Sequence, residues 1–322
     1  MAASPEWQPA RLVSTEDLTG DIRLFEIEPE RFAAPAPGSH LKIALDIGGR
    51  ADVRSYSVVG ASGPRYRIAV KRLADSRGGS LAMWRLKPGA RLTIAGPHNH
   101  FMLTRNAPAY LLIAGGIGVT PILPMAAEIA RRGAPLRMLY AARSTADLAF
   151  GAELQALLGG RLAVHLDEAG QQIDLAAEFA ALHPEGEAYV CGPMGLLEAA
   201  KRRWADSGRP VEKLRFETFG NSGRHAAEPF QIRIPRLNRV VPVRRNETML
   251  EALEAAGIDM ISDCRRGECG LCALDIIEAE GTVDHRDVFF SQAQKDEGRK
   301  LCTCVSRMVD GDVILDTPDR VR

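Results

Sequence analysis

Read as hydrophobic and polar positions, the chain changes period as it runs. From residue 8 to about 103, apolar and polar residues alternate in short runs: Arg11–Val13, Ile22–Ile27, Leu41–Ile47, Tyr66–Val70 and Arg91–Ile94. Alternation of period two predicts strands with one buried face. Turn formers separate the runs, at Pro37-Gly38, Gly48-Gly49, Ser62-Gly63-Pro64 and Pro88-Gly89. Short strands at even spacing predict a small antiparallel β-barrel. One short helix, Leu81 to Leu86, is expected within it.

From about 107 to 218 strand and helix patterns alternate. Strands are expected at Tyr110–Ala114, Leu136–Ala141, Leu162–Leu166, Ala188–Cys191 and Leu214–Glu217. Helices are expected at Ile122–Arg132, Ala152–Leu158, Leu175–Leu182 and Gly195–Ala205. Such alternation implies an α/β domain, a parallel sheet with helices on both faces. Ligands of such sheets bind outside the carboxyl ends of the strands. Two glycine-rich turns fall there: Gly115-Gly116-Ile117-Gly118-Val119-Thr120-Pro121 and Cys191-Gly192-Pro193-Met194. The first is not the Gly-x-Gly-x-x-Gly dinucleotide fingerprint. Glycines that merely pack a helix against a sheet are the bland alternative.

The polar run from Asn221 to Pro229 reads as a linker. Beyond it, strands are expected at Phe230–Ile234, Val240–Val243, Ala273–Ile277, near Leu301–Ser306 and at Val313–Leu315. Thr248-x-x-Glu251 is a capping-box signature before Met249, Leu250, Leu253 and Ala256, and Gly257 ends that helix. The order suits a small β-grasp domain. Boundaries are placed at 1–104 for the barrel, 105–222 for the α/β domain, 223–230 for the linker and 231–322 for the last domain.

Length agrees, since 322 residues exceed one typical core. Lys+Arg and Asp+Glu both number 41, so net charge gives no reason to expect nucleic acid or an anionic membrane as partner. No apolar run reaches transmembrane length, and Ala109–Ile117, the most apolar stretch, is expected to be a buried strand. The first residues show neither a basic nor an apolar signal region, so a cytoplasmic location is expected.

Chemistry concentrates in the last domain. Cys264-Arg265-Arg266-Gly267-Glu268-Cys269-Gly270-Leu271-Cys272 is followed much later by Cys302-Thr303-Cys304. Cys-x4-Cys-x2-Cys with a distant fourth Cys is the plant-type [2Fe–2S] spacing. Each iron needs two thiolates, so one curled loop delivers three and a distant segment the fourth. Gly267 and Gly270 let backbone N–H groups approach the sulfurs. A four-Cys zinc site shows two short pairs instead, and disulfides suit small secreted domains. Cys302 and Cys304 share a face if they lie on a strand, and spacing alone does not choose between them.

The barrel holds weaker signals. Arg54-Ser55-Tyr56-Ser57 puts a cation, a ring and hydroxyls on one strand. Arg77-Gly78-Gly79-Ser80 opens a short helix, a place where N–H groups can meet an anion. A plain turn and a core Tyr are the ordinary readings of both. His98-x-His100 invites a metal reading, but no third ligand is obvious, and a loop role near the barrel edge is preferred. His285 lacks the second His that a Rieske iron requires and is read as structural.

Taken together, these segments resemble the phthalate dioxygenase reductase and vanillate demethylase reductase family over essentially the whole chain. The resemblance implies an FMN barrel, an NAD domain and a C-terminal plant-type ferredoxin domain. It implies that Tyr56 lies along the isoalloxazine and that Ser57 reaches its reactive side. Arg54, with Ser55 beside it, and the Gly78-Gly79-Ser80 turn are implied to hold the FMN phosphate. The loop carrying Gly115, Gly116, Gly118, Thr120 and Pro121 resembles the nicotinamide-nucleotide loop, with Thr120 near the nicotinamide. Cys191, Gly192, Pro193 and Met194 resemble the second nucleotide loop. Phe216-Glu217-Thr218-Phe219-Gly220 resembles a family motif in which Phe219 covers the flavin face. Asp284-His285-Arg286-Asp287 and Cys304-Val305-Ser306-Arg307 recur in the ferredoxin part, and the second match favours Cys304, with Cys264, Cys269 and Cys272, as the iron ligands. The implied activity is electron transfer from NADH through FMN to the cluster, then to a Rieske-type aromatic oxygenase, by a monomer. NADH is expected over NADPH, since Arg143 has Asp147 nearby. A reductase for a cytochrome or another hydroxylase, and a carrier or redox-sensing module without catalysis, are the alternatives. NADH-dependent bleaching of a bound flavin separates the last from the rest.

Overall fold

The computed structural model describes residues 6–49, 51–73, 78–219, 225, 227–245 and 247–317. Arg77, Gly220 and residues 221–224 and 226 of the polar run lie outside the described residues. The chain divides into two compact units, Met1–Glu217 and Thr218–Arg322.

In the first unit, β1 (Trp7–Asp17), β2 (Ile22–Pro29), β3 (Ser39–Asp46), β4 (Ala51–Ser62), β5 (Arg65–Lys71) and β6 (Arg91–Asn99) close a barrel in the order β1-β2-β5-β4-β3-β6. All neighbours are antiparallel. Leu12, Phe25, Ile27, Leu41, Ile43, Tyr66, Ile68 and Ile94 fill its interior. They are the alternating apolar positions of the sequence, which the pleat sends inward together. The strands run longer than the apolar runs, because hydrogen bonding continues past the last buried side chain. Helix α1 (Gly79–Arg85) plugs the barrel with the buried Met83.

The parallel sheet follows: β7 (Tyr110–Gly115), β8 (Leu136–Ala142), β9 (Leu162–Leu166), β10 (Glu187–Cys191) and β11 (Leu214–Glu217), in the order β11-β10-β7-β8-β9. Its helices are α2 (Val119–Arg132), α3 (Gly151–Leu158), α4 (Leu175–Ala181) and α5 (Met194–Asp206). Strand β7 is buried at all six positions, as expected of a central parallel strand. Barrel and sheet are tied at Thr104. Its hydroxyl donates to the Glu187 carboxylate at 2.7 Å, Tyr189 donates to the same oxygen at 2.9 Å, and Arg215 reaches it at 3.3 Å. Glu187 is buried, and these donors satisfy its charge.

The second unit contains β12 (Phe230–Ile234), β13 (Arg239–Val243), α6 (Met249–Ala255), β14 (Ala273–Ala279), β15 (Thr282–Asp284), α7 (Gln292–Asp296), β16 (Lys300–Cys302), β17 (Arg307–Val309) and β18 (Val313–Asp316). Five strands form a mixed sheet ordered β13-β12-β18-β14-β16, and β15 pairs with β17. The capping box is formed at both ends: Glu251 N–H donates to Thr248 Oγ1 at 3.1 Å, and Thr248 N–H to Glu251 at 2.8 Å. One expected strand is shorter. The Leu301–Ser306 run stops at Cys302, because the Cys302 carbonyl turns back to accept N–H groups of Val305 and Ser306. Among the described residues, no helix is long and apolar enough to cross a membrane.

Candidate functional site

In the barrel, β4 carries Arg54, Ser55, Tyr56 and Ser57 consecutively, as its strand pattern requires. Arg54 pairs with Asp52 and is largely covered. Its guanidinium lies over the start of α1: a Cβ built on Gly79 would sit 2.6 Å from Arg54 Nε and 2.7 Å from its Cγ. Gly78 holds φ 83°, where a Cβ would meet Ile47 at 2.5 Å. Gly79 cannot be enlarged without moving the cation, nor Gly78 without moving Ile47. The structure thus brings Arg54 and the Gly78–Gly79 turn together, a cation beside backbone N–H groups, which suits a phosphate. Ser80 is drawn another way, its hydroxyl accepting the Leu73 N–H at 3.2 Å. Tyr56 is half-buried against the barrel core, and burial pushes its phenol pKa up, so it stays neutral.

Ser57 is buried and stands opposite His40 on β3, which in turn stands opposite His98 on β6. The His100 ring meets His40 edge-on, with centroids 5.3 Å apart, and the His98 ring lies 5.8 Å away. His40 is the third imidazole that the sequence did not reveal, since it joins the others only through strand register. Burial, then Lys42 and His100, lower the His98 pKa. Among the described residues, no three metal-binding side chains are arranged to hold one ion.

The two nucleotide turns touch at the carboxyl ends of β7 and β10, adjacent strands at the sheet's centre. A Cβ on Gly118 would lie 2.2 Å from the Cys191 carbonyl oxygen, and one on Gly115 2.7 Å from Pro193 Cδ. A Cβ on Gly192 would lie 3.0 Å from the Gly115 nitrogen. Gly116 adopts φ 53° with open space before it. Thr120 is buried in the first turn of α2 beside Pro121, and its hydroxyl donates to the Ile117 carbonyl at 3.0 Å. Cys191 is buried, and Met194 begins α5. Arg143 is exposed after β8, where its carbonyl accepts the Glu168 N–H. Glu168 accepts the Thr145 N–H at 2.9 Å, and Ser144 donates to Asp147 at 2.7 Å. The sequence pointed to Asp147. Glu168 comes from the next strand's end and is added by the fold.

In the second unit the thiols fall into two groups. Cys264 and Cys269 are hydrogen-bonded to each other, and Cys264 Sγ also accepts N–H groups of Arg266 and Glu268, both at 3.4 Å. Cys272 packs against Cys302 and Cys304, whose hydrogen bonds draw its pKa down. A two-iron cluster needs such a division, two thiols to each iron. Gly267 at φ 75° and Gly270 at φ 73° curl the loop, and a Cβ on either would strike Val305 or the Phe289 ring. Cys304 lies in the turn after β16, where the Gly267 N–H meets its thiol and Cys264 is near enough to act on it. Cys302, on the strand end, instead feels Asp287. Strand geometry therefore does not relate the two thiols as the sequence suggested. Phe219 belongs to this unit. The Thr218 N–H before it donates to Glu268 at 3.0 Å, and its hydroxyl donates to the Arg266 carbonyl at 3.0 Å. Arg307 donates to the carbonyls of Glu228, Arg244 and Glu247, a structural stitch.

Comparison with known proteins agrees with these geometries. Residues 232–309 match the 2Fe-2S iron-sulfur cluster binding domain, and residues 112–202 the oxidoreductase NAD-binding domain. The toluene-4-sulfonate monooxygenase system reductase subunit of Comamonas testosteroni is 35% identical over 95% of this chain and 96% of its own. The heme-dependent oxidative N-demethylase beta subunit of Ectopseudomonas mendocina is 34% identical over 95% of this chain and 97% of its own. The crystal structure of phthalate dioxygenase reductase, described as a modular structure for electron transfer from pyridine nucleotides to [2Fe-2S], superposes with a TM-score of 0.76. It is 30% identical, over 96% of this chain and 98% of that one. The chain therefore belongs to the family of iron–sulfur flavoprotein reductases that includes phthalate dioxygenase reductase. It is an NADH-dependent oxidoreductase with a [2Fe-2S] domain, and its family implies FMN as the flavin.

Proposed function

We propose that the chain is the reductase component of a Rieske-type aromatic oxygenase, acting as a monomer in the cytoplasm. The observation that supports the cluster is the grouping of thiols, Cys264 with Cys269 and Cys272 with both Cys302 and Cys304; the family motif selects Cys304 as the fourth ligand. Full-length similarity to a monooxygenase reductase subunit supports the oxygenase as acceptor. Thiols used as iron ligands need a reducing compartment, which supports the cytoplasm.

Flavin and cluster supply the redox chemistry, a two-electron donor being joined to a one-electron carrier. The protein binds and orients. In this reading Arg54, Gly78, Gly79 and Ser80 hold the FMN phosphate, with Ser55 beside Arg54. Tyr56 lines the isoalloxazine, and Ser57, backed by His40, faces its reactive side. Gly115, Gly116, Gly118, Thr120 and Pro121, with Cys191, Gly192, Pro193 and Met194, shape the nicotinamide-nucleotide pocket. Arg143 flanks the adenosine end, and Phe219 covers the flavin. Asp147 and Glu168 beside Arg143 supply carboxylates that would repel a 2′-phosphate, so NADH is preferred over NADPH. Domains are assigned to 1–104, 105–222 and 231–322, with 223–230 as linker.

The test begins with flavin released from purified protein and run against FMN and FAD standards. FAD as the main species overturns the barrel assignment. Anaerobic NADH should then bleach the flavin and produce the EPR signal of a reduced cluster, with a higher kcat/KM than NADPH. Finally, the reduced protein should support turnover of a Rieske oxygenase on an aromatic acid. A second reading, a haem enzyme as acceptor, is favoured by the similarity to the heme-dependent N-demethylase subunit. Reduction of a haem partner with no reduction of any Rieske centre would select it.

A further inference from the structure

Beside the cysteine loop lies a carboxylate that the electron route above leaves unused. Asp287 is fully buried, at 0% exposure. It stands on the segment between β15 and α7 and presses on Gly267, where a Cβ would lie 2.8 Å from Asp287 Cα and 3.0 Å from its Cβ. The Gly267 carbonyl accepts N–H groups of Val288 at 2.9 Å and Phe289 at 3.2 Å, while the Gly267 N–H meets the Cys304 thiol. One glycine thus joins the strap to the proposed fourth ligand.

The carboxylate itself is held in place. Oδ2 accepts the Phe290 N–H at 3.0 Å. Oδ1 faces His285 Nδ1 at 3.5 Å, and neither atom has a hydrogen-bond partner. Lys295 donates to the Asp287 carbonyl, and its Nζ lies 3.8 Å from Oδ2. Burial alone would push the Asp287 pKa up, yet it lies below the ordinary value because His285, the Phe290 N–H and Lys295 favour the anion. The carboxylate lies close to the cysteines, since Phe290, whose N–H it accepts, packs with Cys272, Cys302 and Cys304 in one buried cluster. A charge in a low-dielectric interior acts over several ångströms with little screening.

We propose that Asp287 sets the electron affinity of the iron–sulfur centre, its fixed negative charge opposing the electron that reduction adds while its strap holds Gly267 against Cys304. The inference rests on the cluster assignment. Reduction here adds one electron to the centre and makes or breaks no bond to Asp287.

The experiment is a redox titration of the full-length protein, followed by the EPR signal of the reduced cluster. Asp287→Asn keeps the acceptor for the Phe290 N–H and removes the charge. The expected result is wild-type iron content with the one-electron equilibrium shifted at least tenfold toward the reduced form, an upward shift of about 59 mV for a one-electron couple. An unchanged potential in a variant that keeps its iron overturns the proposal, because a purely structural Asp287 would give that result. If Asp287→Asn loses iron, Lys295→Met decides. Removing the countercharge leaves Asp287 less compensated, so the potential must fall; no change or a rise overturns the proposal. Wild-type protein lacking iron and EPR signal would instead sink the cluster assignment, a separate outcome.

Discussion

Cys302 and Cys304 are both buried and both lie against Cys272, so burial does not choose the fourth iron ligand. The proposed assignment to Cys304 rests on the Cys304-Val305-Ser306-Arg307 motif, and Cys304 lies in the turn after β16 while Cys302 ends the strand. Cys302→Ala should therefore keep iron and the EPR signal of the reduced cluster, at a packing cost of roughly 1–2 kcal/mol. Cys304→Ala should lose both. The opposite pair of results would move the ligand to the strand end. In the barrel, Gly79→Ala places a methyl 2.6 Å from Arg54 Nε. The guanidinium must move, and flavin dissociation measured by fluorescence should weaken at least tenfold, about 1.4 kcal/mol. Flavin binding equal to wild type would remove Arg54 from the phosphate site.

At the scale of elements, α6 and the turn after β16 stabilise each other. The Leu250 N–H in the first turn of α6 donates to the Thr303 carbonyl at 3.0 Å. Thr303 donates through its hydroxyl to the Cys272 carbonyl at 2.8 Å. The residue between the two candidate thiols is thereby pinned to a helix start and to the cysteine loop. Thr248 caps that helix start through the Glu251 N–H. Thr248→Ala should cost about 1 kcal/mol, read as a lower denaturation midpoint of the cluster's visible circular dichroism. Flavin fluorescence, which reports the first unit, should unfold at its wild-type midpoint. A shared loss at both probes would show that the cap supports more than the second unit.

At the scale of the whole molecule, the division between Glu217 and Thr218 separates two cores. The first contains the barrel, the sheet and the Glu187 tie between them. A chain ending at Glu217 should fold, bind flavin and be bleached by NADH. It should show no cluster EPR signal and support no oxygenase turnover. Failure of that fragment to bind flavin would overturn the assignment of flavin binding to the first unit.

The sequence by itself determined what short-range covalent geometry encodes. Periods of two and 3.6 placed the barrel strands, the parallel sheet and its helices, because a pleat and a helix each sort side chains by local spacing. The Cys264–Cys272 loop was legible for the same reason, since four intervening residues and then two, with glycines at positive φ, describe one curled segment. The Thr248–Glu251 box is likewise a contact within one turn. Tertiary structure alone decided what depends on register and packing between distant segments. His40 joins His98 and His100 only because β3 lies between β4 and β6. Gly118 requires its missing Cβ because of Cys191, 73 positions later. Asp287 lies beside Gly267 because a strap of no regular structure passes over the loop. Such contacts join residues with no periodic relation in the chain, and packing density, not local propensity, selects them.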